Sequence, residues 1–152
     1  MDETRKPSGR ALEERDYAAL ARFRRSLRIF LAFSEEAARD AGLTPQQHQA
    51  ILAIRGLAPE GGMTINELAE HLLLKPQTAV ELVDRLEKAG LVQRSRDEVD
   101  RRRVFLGLTE KANAALEMLS AAHLAQVARD APQLMDLLRE MATRAPGNQS
   151  GS

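Results

Sequence analysis

The sequence contains no cysteine and no tryptophan, and only one tyrosine and four phenylalanines among its 152 residues. The missing thiols exclude disulfides, thiolate metal sites and cysteine-based redox sensing. With so few aromatics, the core has to be built from Leu, Ala, Val, Ile and Met, which suits helices better than a sandwich or a barrel. No apolar run approaches the length of a membrane span, and Ile29 to Phe33 is typical of what there is. Residues 1–10 are polar and lack the apolar stretch of a secretory signal, so a cytoplasmic location is expected. Net charge is lacking too, because 22 basic side chains balance 22 acidic ones. Neutrality argues against a polyanionic partner only if the charge is evenly spread; a local basic stripe binds phosphate on a neutral protein.

The charge is not evenly spread. Arg94, Arg96, Arg101, Arg102 and Arg103 fall within ten positions, and Arg22, Arg24, Arg25 and Arg28 form a second group. The second group reads as a solvated helix face that pairs with acidic residues. The first needs its local structure before it can be interpreted.

Leu12 to about Asp40 reads as one long helix, with Leu20, Phe23, Leu27, Phe30 and Leu31 at steps of three and four and Gly42 closing it. Thr44-Pro45-Gln46-Gln47 combines a capping hydroxyl, a first-turn proline and a glutamine that can reach back, and opens a helix ending near Gly56. After the turn Pro59 to Gly62, Thr64-x-x-Glu67 opens a short helix through Leu72. Pro76 starts a third, which continues to Lys88 before Gly90. Leu91–Ser95 and Val104–Leu108 read as two short strands, the second with a two-residue apolar period. Thr109 caps an Ala-rich helix to near Asp130. Pro132 is expected to break it, with a further apolar face at Leu134, Leu137, Leu138 and Met141. The fold class is therefore mainly α with a small β-hairpin. The expected organisation is a disordered N-terminus at 1–11, long helices over 12–43 and 109–143 flanking a lobe at 44–108, and a flexible tail at 144–152.

Helix, helix, tight turn, helix and charged hairpin follow one another inside that lobe. In the Pro76 helix, Ala79, Leu82, Val83 and Leu86 share one face, which leaves Gln77, Glu81, Asp84 and Lys88 opposite and Thr78 and Arg85 on the flank. Gln77 and Thr78 lie in the first turn, the part of a helix–turn–helix that reaches base edges. Gln suits adenine, and Thr suits a hydroxyl contact or the thymine methyl. Lys75 and Arg85 suit phosphate. A loop bearing Arg96, Arg101 and Arg102 on a two-stranded ribbon suits a neighbouring narrow groove, and Arg94 of the preceding strand is counted with them as a DNA contact. Asp97, Glu98 and Asp100 in the same loop look counterproductive against a polyanion, unless a short carboxylate fixes an arginine rotamer.

Four segments carry a resemblance to the MarR family of bacterial regulators: Leu43 to His48, Met63 to Ala69, Val80 to Val92, and Asp100 to Thr109 with its Asp-x-Arg and x-Leu-Thr spacing. The resemblance covers residues 12–142 and implies a winged helix–turn–helix with N- and C-terminal dimerisation helices. It implies that Arg102 enters a minor groove with Asp100 ordering it, while Gln77 and Thr78 read the major groove. It further implies a homodimer on a pseudo-palindromic operator, acting as a repressor relieved by a small aromatic or anionic effector. Ala114, Ala115, Ala121, Ala122 and Ala125 fit a close helix seam in such a dimer.

Other readings find less support. His48, His71 and His123 have no helical-spacing partners, so no metal is expected, and His48 reads as a partly exposed helix residue. Ser34 and Ser120 lack any nucleophile context, no phosphate loop occurs, and no cofactor or enzymatic activity is expected. The rival to a DNA-binding regulator is a winged-helix module that docks its arginines on an acidic protein.

Overall fold

A computed structural model describes residues 10–145. The expectations for a disordered start and a flexible tail fall mainly on residues 1–9 and 146–152, outside the described residues. Eight elements follow in order: α1 (Glu14–Asp40), α2 (Pro45–Leu57), β1 (Met63–Thr64), α3 (Ile65–His71), α4 (Pro76–Lys88), β2 (Val92–Arg96), β3 (Val104–Leu108) and α5 (Glu110–Arg144). They divide into two compact units, 34–123 and 10–33 with 124–145. The first thus takes in the end of α1 and the beginning of α5, more than the 44–108 expected from sequence. Among the described residues no helix is long and apolar enough to cross a membrane.

In the 34–123 unit the helix starts follow from local chemistry. Thr44 accepts from the Gln47 N–H at 3.1 Å while the Gln47 side chain accepts from the Thr44 N–H at 3.0 Å. Thr64 and Glu67 repeat this reciprocal box at the start of α3. The three-stranded sheet has the order β1-β3-β2, antiparallel throughout, with Met63 opposite Leu106 and Val92 opposite Leu108. The two-residue β1 was not foreseen, because two residues carry no alternation to read. Beneath the sheet lies one core, in which Ile51, Met63, Leu68, Leu82, Val83, Leu86 and Leu91 are almost fully buried.

Two expectations are corrected. Pro132 does not break the last helix, since α5 runs unbroken through it. Proline removes one N–H and crowds the carbonyl four residues earlier, but Ala128 and Pro132 both face solvent, where the freed carbonyl can be hydrated. His48 is not partly exposed; it is 3% exposed and packed against His123. Its polar sequence neighbours, Gln46 and Gln47, belong to the capping turn and say nothing about the next helical face.

The 10–33 and 124–145 unit joins the outer parts of α1 and α5. Asp16 is buried there, accepting from Arg10 at 2.7 Å and from the Glu13 N–H at 2.8 Å, with Arg144 at 3.5 Å. These partners, the Arg10 hydrogen bond foremost, hold its carboxyl down at about 2. Arg22 of the second arginine group pairs with Glu140 at 3.4 Å, as a solvated face would. Leu12, Tyr17, Leu20, Leu31, Leu124 and Leu138 nevertheless stay exposed on this unit.

Helices α1, α3 and α4 end in the same motif. In each, one N–H reaches back five residues and the preceding N–H closes the turn inside it: Leu43 to Ala38, Leu74 to Ala69, and Leu91 to Leu86. The motif needs a left-handed residue, supplied by Gly42 and Gly90 at two of the ends. At the third it is Leu73, with φ at 55° and its side chain 93% exposed, in the turn between α3 and α4. A leucine there stores roughly 1–2 kcal/mol of backbone strain. Leu73→Gly is expected to raise stability by about 0.5–1 kcal/mol, since the glycine's extra unfolded-state freedom offsets part of the relief. A urea midpoint unchanged or lowered in that variant would contradict this.

Candidate nucleic-acid interface

Ala79, Leu82, Val83 and Leu86 of α4 are at most 1% exposed, so the helix cannot rotate about its axis. Each of the larger three contributes about 1.5–3 kcal/mol by burial. Gln77, Glu81, Asp84, Arg85 and Lys88 consequently face outward, and Thr78 is half-buried on the flank. The start of α4 differs from those of α2 and α3. Its N-cap is Lys75, which provides no side-chain hydrogen bond to the first turn. A lysine has the wrong charge for the positive end of a helix. The first-turn N–H groups and the ammonium are instead disposed to meet an external anion together. Arg85, one turn before the helix end, donates to Gln46 of α2 at 3.4 Å and remains exposed.

The hairpin of β2 and β3 forms the second part. Its last backbone rung is the Asp97 N–H to the Arg103 carbonyl at 3.0 Å, and the Arg103 N–H closes the turn on the Asp100 carbonyl at 3.0 Å. The acidic residues that looked counterproductive shape this loop. Asp97 accepts from the Val99 N–H at 2.9 Å. A single oxygen of Asp100 accepts from both the Arg102 N–H at 3.1 Å and its Nε at 3.3 Å. Arg102 is thereby aimed although its side chain is 93% exposed. Arg96 donates to the Arg101 carbonyl at 3.4 Å, and Arg101 is exposed beside it. Arg103 turns away, its guanidinium 5.2 Å from the centre of the Phe105 ring.

Arg94 is placed differently from the other wing arginines. In β2 it shares a face with the buried Val92, and its guanidinium reaches back to α4, bonding Asp84 at 2.7 Å and also Glu87. The Asp84 hydrogen bond raises its pKa above the ordinary arginine value, with partial burial opposing. The side chain ties the hairpin to α4 instead of standing out from the tip. Asp84 and Glu87 were not foreseen in this role. Their three-residue spacing on the polar face of α4 and the alternation of β2 together carry the signal. The structure thus brings Lys75, Gln77, Thr78, Glu81 and Arg85 together on one helix, and Arg96, Asp100, Arg101 and Arg102 together on one loop. Arg94 lies between the two groups.

Comparison with known proteins agrees with this geometry. Residues 41–103 match the model of the MarR family. The uncharacterised helix–turn–helix transcriptional regulator YkoM of Bacillus subtilis is 30% identical over 120 residues, 77% of this chain and 76% of that protein. The transcriptional repressor MdtR of the same organism is 31% identical over 94 residues; these are 62% of this chain and 59% of the repressor's length. Among solved structures, AbsC, a MarR family transcriptional regulator from Streptomyces coelicolor, superposes with a TM-score of 0.69 at 25% identity, covering 88% of this chain and 91% of AbsC. CouR from Rhodococcus jostii, solved with p-coumaroyl-CoA bound, gives 0.60 at 26% identity over 80% and 89% of the two chains. A variant of Staphylococcus aureus MepR bound to an oligodeoxyribonucleotide has the same fold, at 0.61 and 21% identity over 84% and 96%.

The clamp makes its own prediction. Arg94→Met keeps the stem but removes both ion pairs, which on a partly exposed site are worth at most about 1 kcal/mol. The variant should melt within a few degrees of the parent yet bind duplex DNA on the order of tenfold more weakly, because the wing is no longer registered to α4. Unchanged affinity in a fluorescence-anisotropy titration would show that the clamp has no part in binding.

Proposed function

Because the chain belongs to the MarR family of transcription regulators, we propose that α4 enters the major groove of an operator while the hairpin lays Arg102 in the adjacent minor groove. The protein is a DNA-binding transcription regulator; the acidic-protein docking module has no support in its relatives. The carrying observation is the Asp100–Arg102 arrangement, a fully offered guanidinium whose backbone and side chain are both fixed by one carboxylate. Preordering a long side chain lowers the entropy lost when it meets phosphate or a narrow groove.

In this reading Gln77 and Thr78 contact base edges, with Glu81 beside them on the same face. Lys75, Arg85, Arg96 and Arg101 contact the phosphates. Arg94 acts through the clamp. The protein works as a homodimer in the cytoplasm, two recognition helices meeting half-sites about 34–36 Å apart. Leu27, Ile29, Val127, Met135 and Leu138, exposed together around one groove of α1 and α5, support a self-association surface, since gathered apolar side chains mark an interaction site. Regulation is repression relieved by a small aromatic or anionic effector; the repressor relative and the acyl-CoA bound by CouR support that class of response.

Affinity for duplex DNA is expected to fall on the order of 10³–10⁵-fold between 50 and 200 mM salt if roughly six to ten phosphates are neutralised. Arg102→Ala should cost about 1–3 kcal/mol of binding with the melting temperature and dimer mass unchanged. A salt-independent interaction, or an Arg102→Ala variant that binds as the parent does, would overturn the groove assignments.

A further inference from the structure

Helices α1, α2 and α5 converge within the 34–123 unit on a pair of imidazoles that the DNA chemistry does not use. His48 of α2 is 3% exposed, and its Nε2 has no hydrogen-bond partner among the described residues. His123 of α5 lies against it, ring centroids 5.0 Å apart and planes tilted by 43°. The Leu119 carbonyl, 2.6 Å from His123 Nδ1, can only accept, so that nitrogen carries the proton. In the neutral ring Nε2 then accepts from the Ser34 hydroxyl of α1 at 2.8 Å. One hydrogen-bonded chain therefore joins α5 to α1, with the His48 ring filling the space beside it.

The arrangement suits a neutral His48, whereas a protonated His123 would keep both its contacts by donating to the Leu119 carbonyl and to the Ser34 hydroxyl oxygen. A bare lone pair on His48 Nε2 is tolerable, but a proton there creates a buried donor without an acceptor. It also places a charge beside a second titratable ring. Among the described residues, the charged groups on the three helices are engaged elsewhere or face solvent. Burial, and after it the neighbouring His123 ring, hold the His48 imidazole below its ordinary value. On α1, Glu35 pairs with Arg39 at the surface, and Glu36 and Asp40 are exposed. On α2 and α5, Arg55 is engaged with Asn113 at 2.6 Å and Glu117 faces solvent.

The same stretch of α5 grips the recognition helix at its other end. Thr109 donates to the Gly90 carbonyl at 2.7 Å, and Lys111 donates to the Ala89 carbonyl at 2.8 Å, directly behind the end of α4. Between the two ends, Ala112, Leu116 and Leu119 are core residues of the unit. About 20 Å of continuous helix connects the imidazoles to the base of α4.

We propose that His48, packed on His123, is a proton-operated latch, in which protonation of His48 parts α5 from α2 and releases the protein from DNA. This rests on the DNA-binding reading above. The sign follows from linkage. An open or unfolded state binds the proton near 6.5 and the latched state at a lower pH. Stability is thus complete above about 6.5 and falls as pH drops below it, until the latched state is itself protonated. Acidification makes the whole protein more positive, which by itself strengthens duplex binding. A fall in affinity therefore opposes the general electrostatic trend.

The experiment follows the full-length protein from about pH 8 to about pH 5, by melting temperature and by anisotropy with a random-sequence duplex at low salt, for the parent and His48→Leu. The parent should lose at least about fivefold in affinity and lose melting temperature across the same window; His48→Leu should flatten both. Should that variant not fold, the imidazole C–H resonances of the parent decide, with His48 titrating well below a free histidine. Parent and variant profiles that superimpose, or an ordinary His48 titration, overturn the latch. Absence of duplex binding at every pH would refute the DNA-binding reading instead, and the melting and resonance data would still judge the latch.

Discussion

The fixed rotation of α4 is the constraint on which the rest depends. Its apolar stripe is packed against α3 and β2 within the common core, and no other rotation buries Leu82, Val83 and Leu86 together. The polar face is what remains. Gln77 and Arg85 are thus presented by packing alone, before any hydrogen bond is considered. The Arg94 clamp then adds the second dimension by tying the hairpin to that same polar face through Asp84 and Glu87. The result is one body that offers a helix end and a ribbon tip at a set spacing, which is what engaging two adjacent grooves requires.

The molecule is satisfied where it must hold and open where it must bind. Complete capping boxes close α2 and α3, while α4 begins on an uncapping lysine. Carboxylates in the wing are used on the backbone and on Arg102, so their charge organises the loop more than it repels a polyanion. The turn between α3 and α4 carries its strain at Leu73, just before the exposed start of α4. Strain kept at such a place is consistent with a stable core supporting it.

Much of this was legible in the sequence because punctuation and periodicity agreed. Pro76 and Gly90 bracket α4 so tightly that its bounds could be read directly, and the Thr44 and Thr64 boxes announced two further helices. What escaped reading depended on partners distant in the chain. The strand at Met63–Thr64 exists only because Phe105 and Leu106 pair with it. His48 looked exposed because its neighbours are polar, and its burial is decided by His123, seventy-five positions later. Pro132 looked like a break because a local rule was applied without knowing that the helix face there meets water. Arg94 was grouped with the wing arginines by proximity, although its carboxylate partners, Asp84 and Glu87, lie on α4.

Two copies of this one rigid body are expected to meet one duplex together. Selection of bound sequences from a random duplex pool by the intact protein tests it most directly. A paired protein should enrich an inverted repeat whose half-site centres lie about 10 base pairs apart. Enrichment of a single unpaired half-site, or no enrichment above the starting pool, would contradict it.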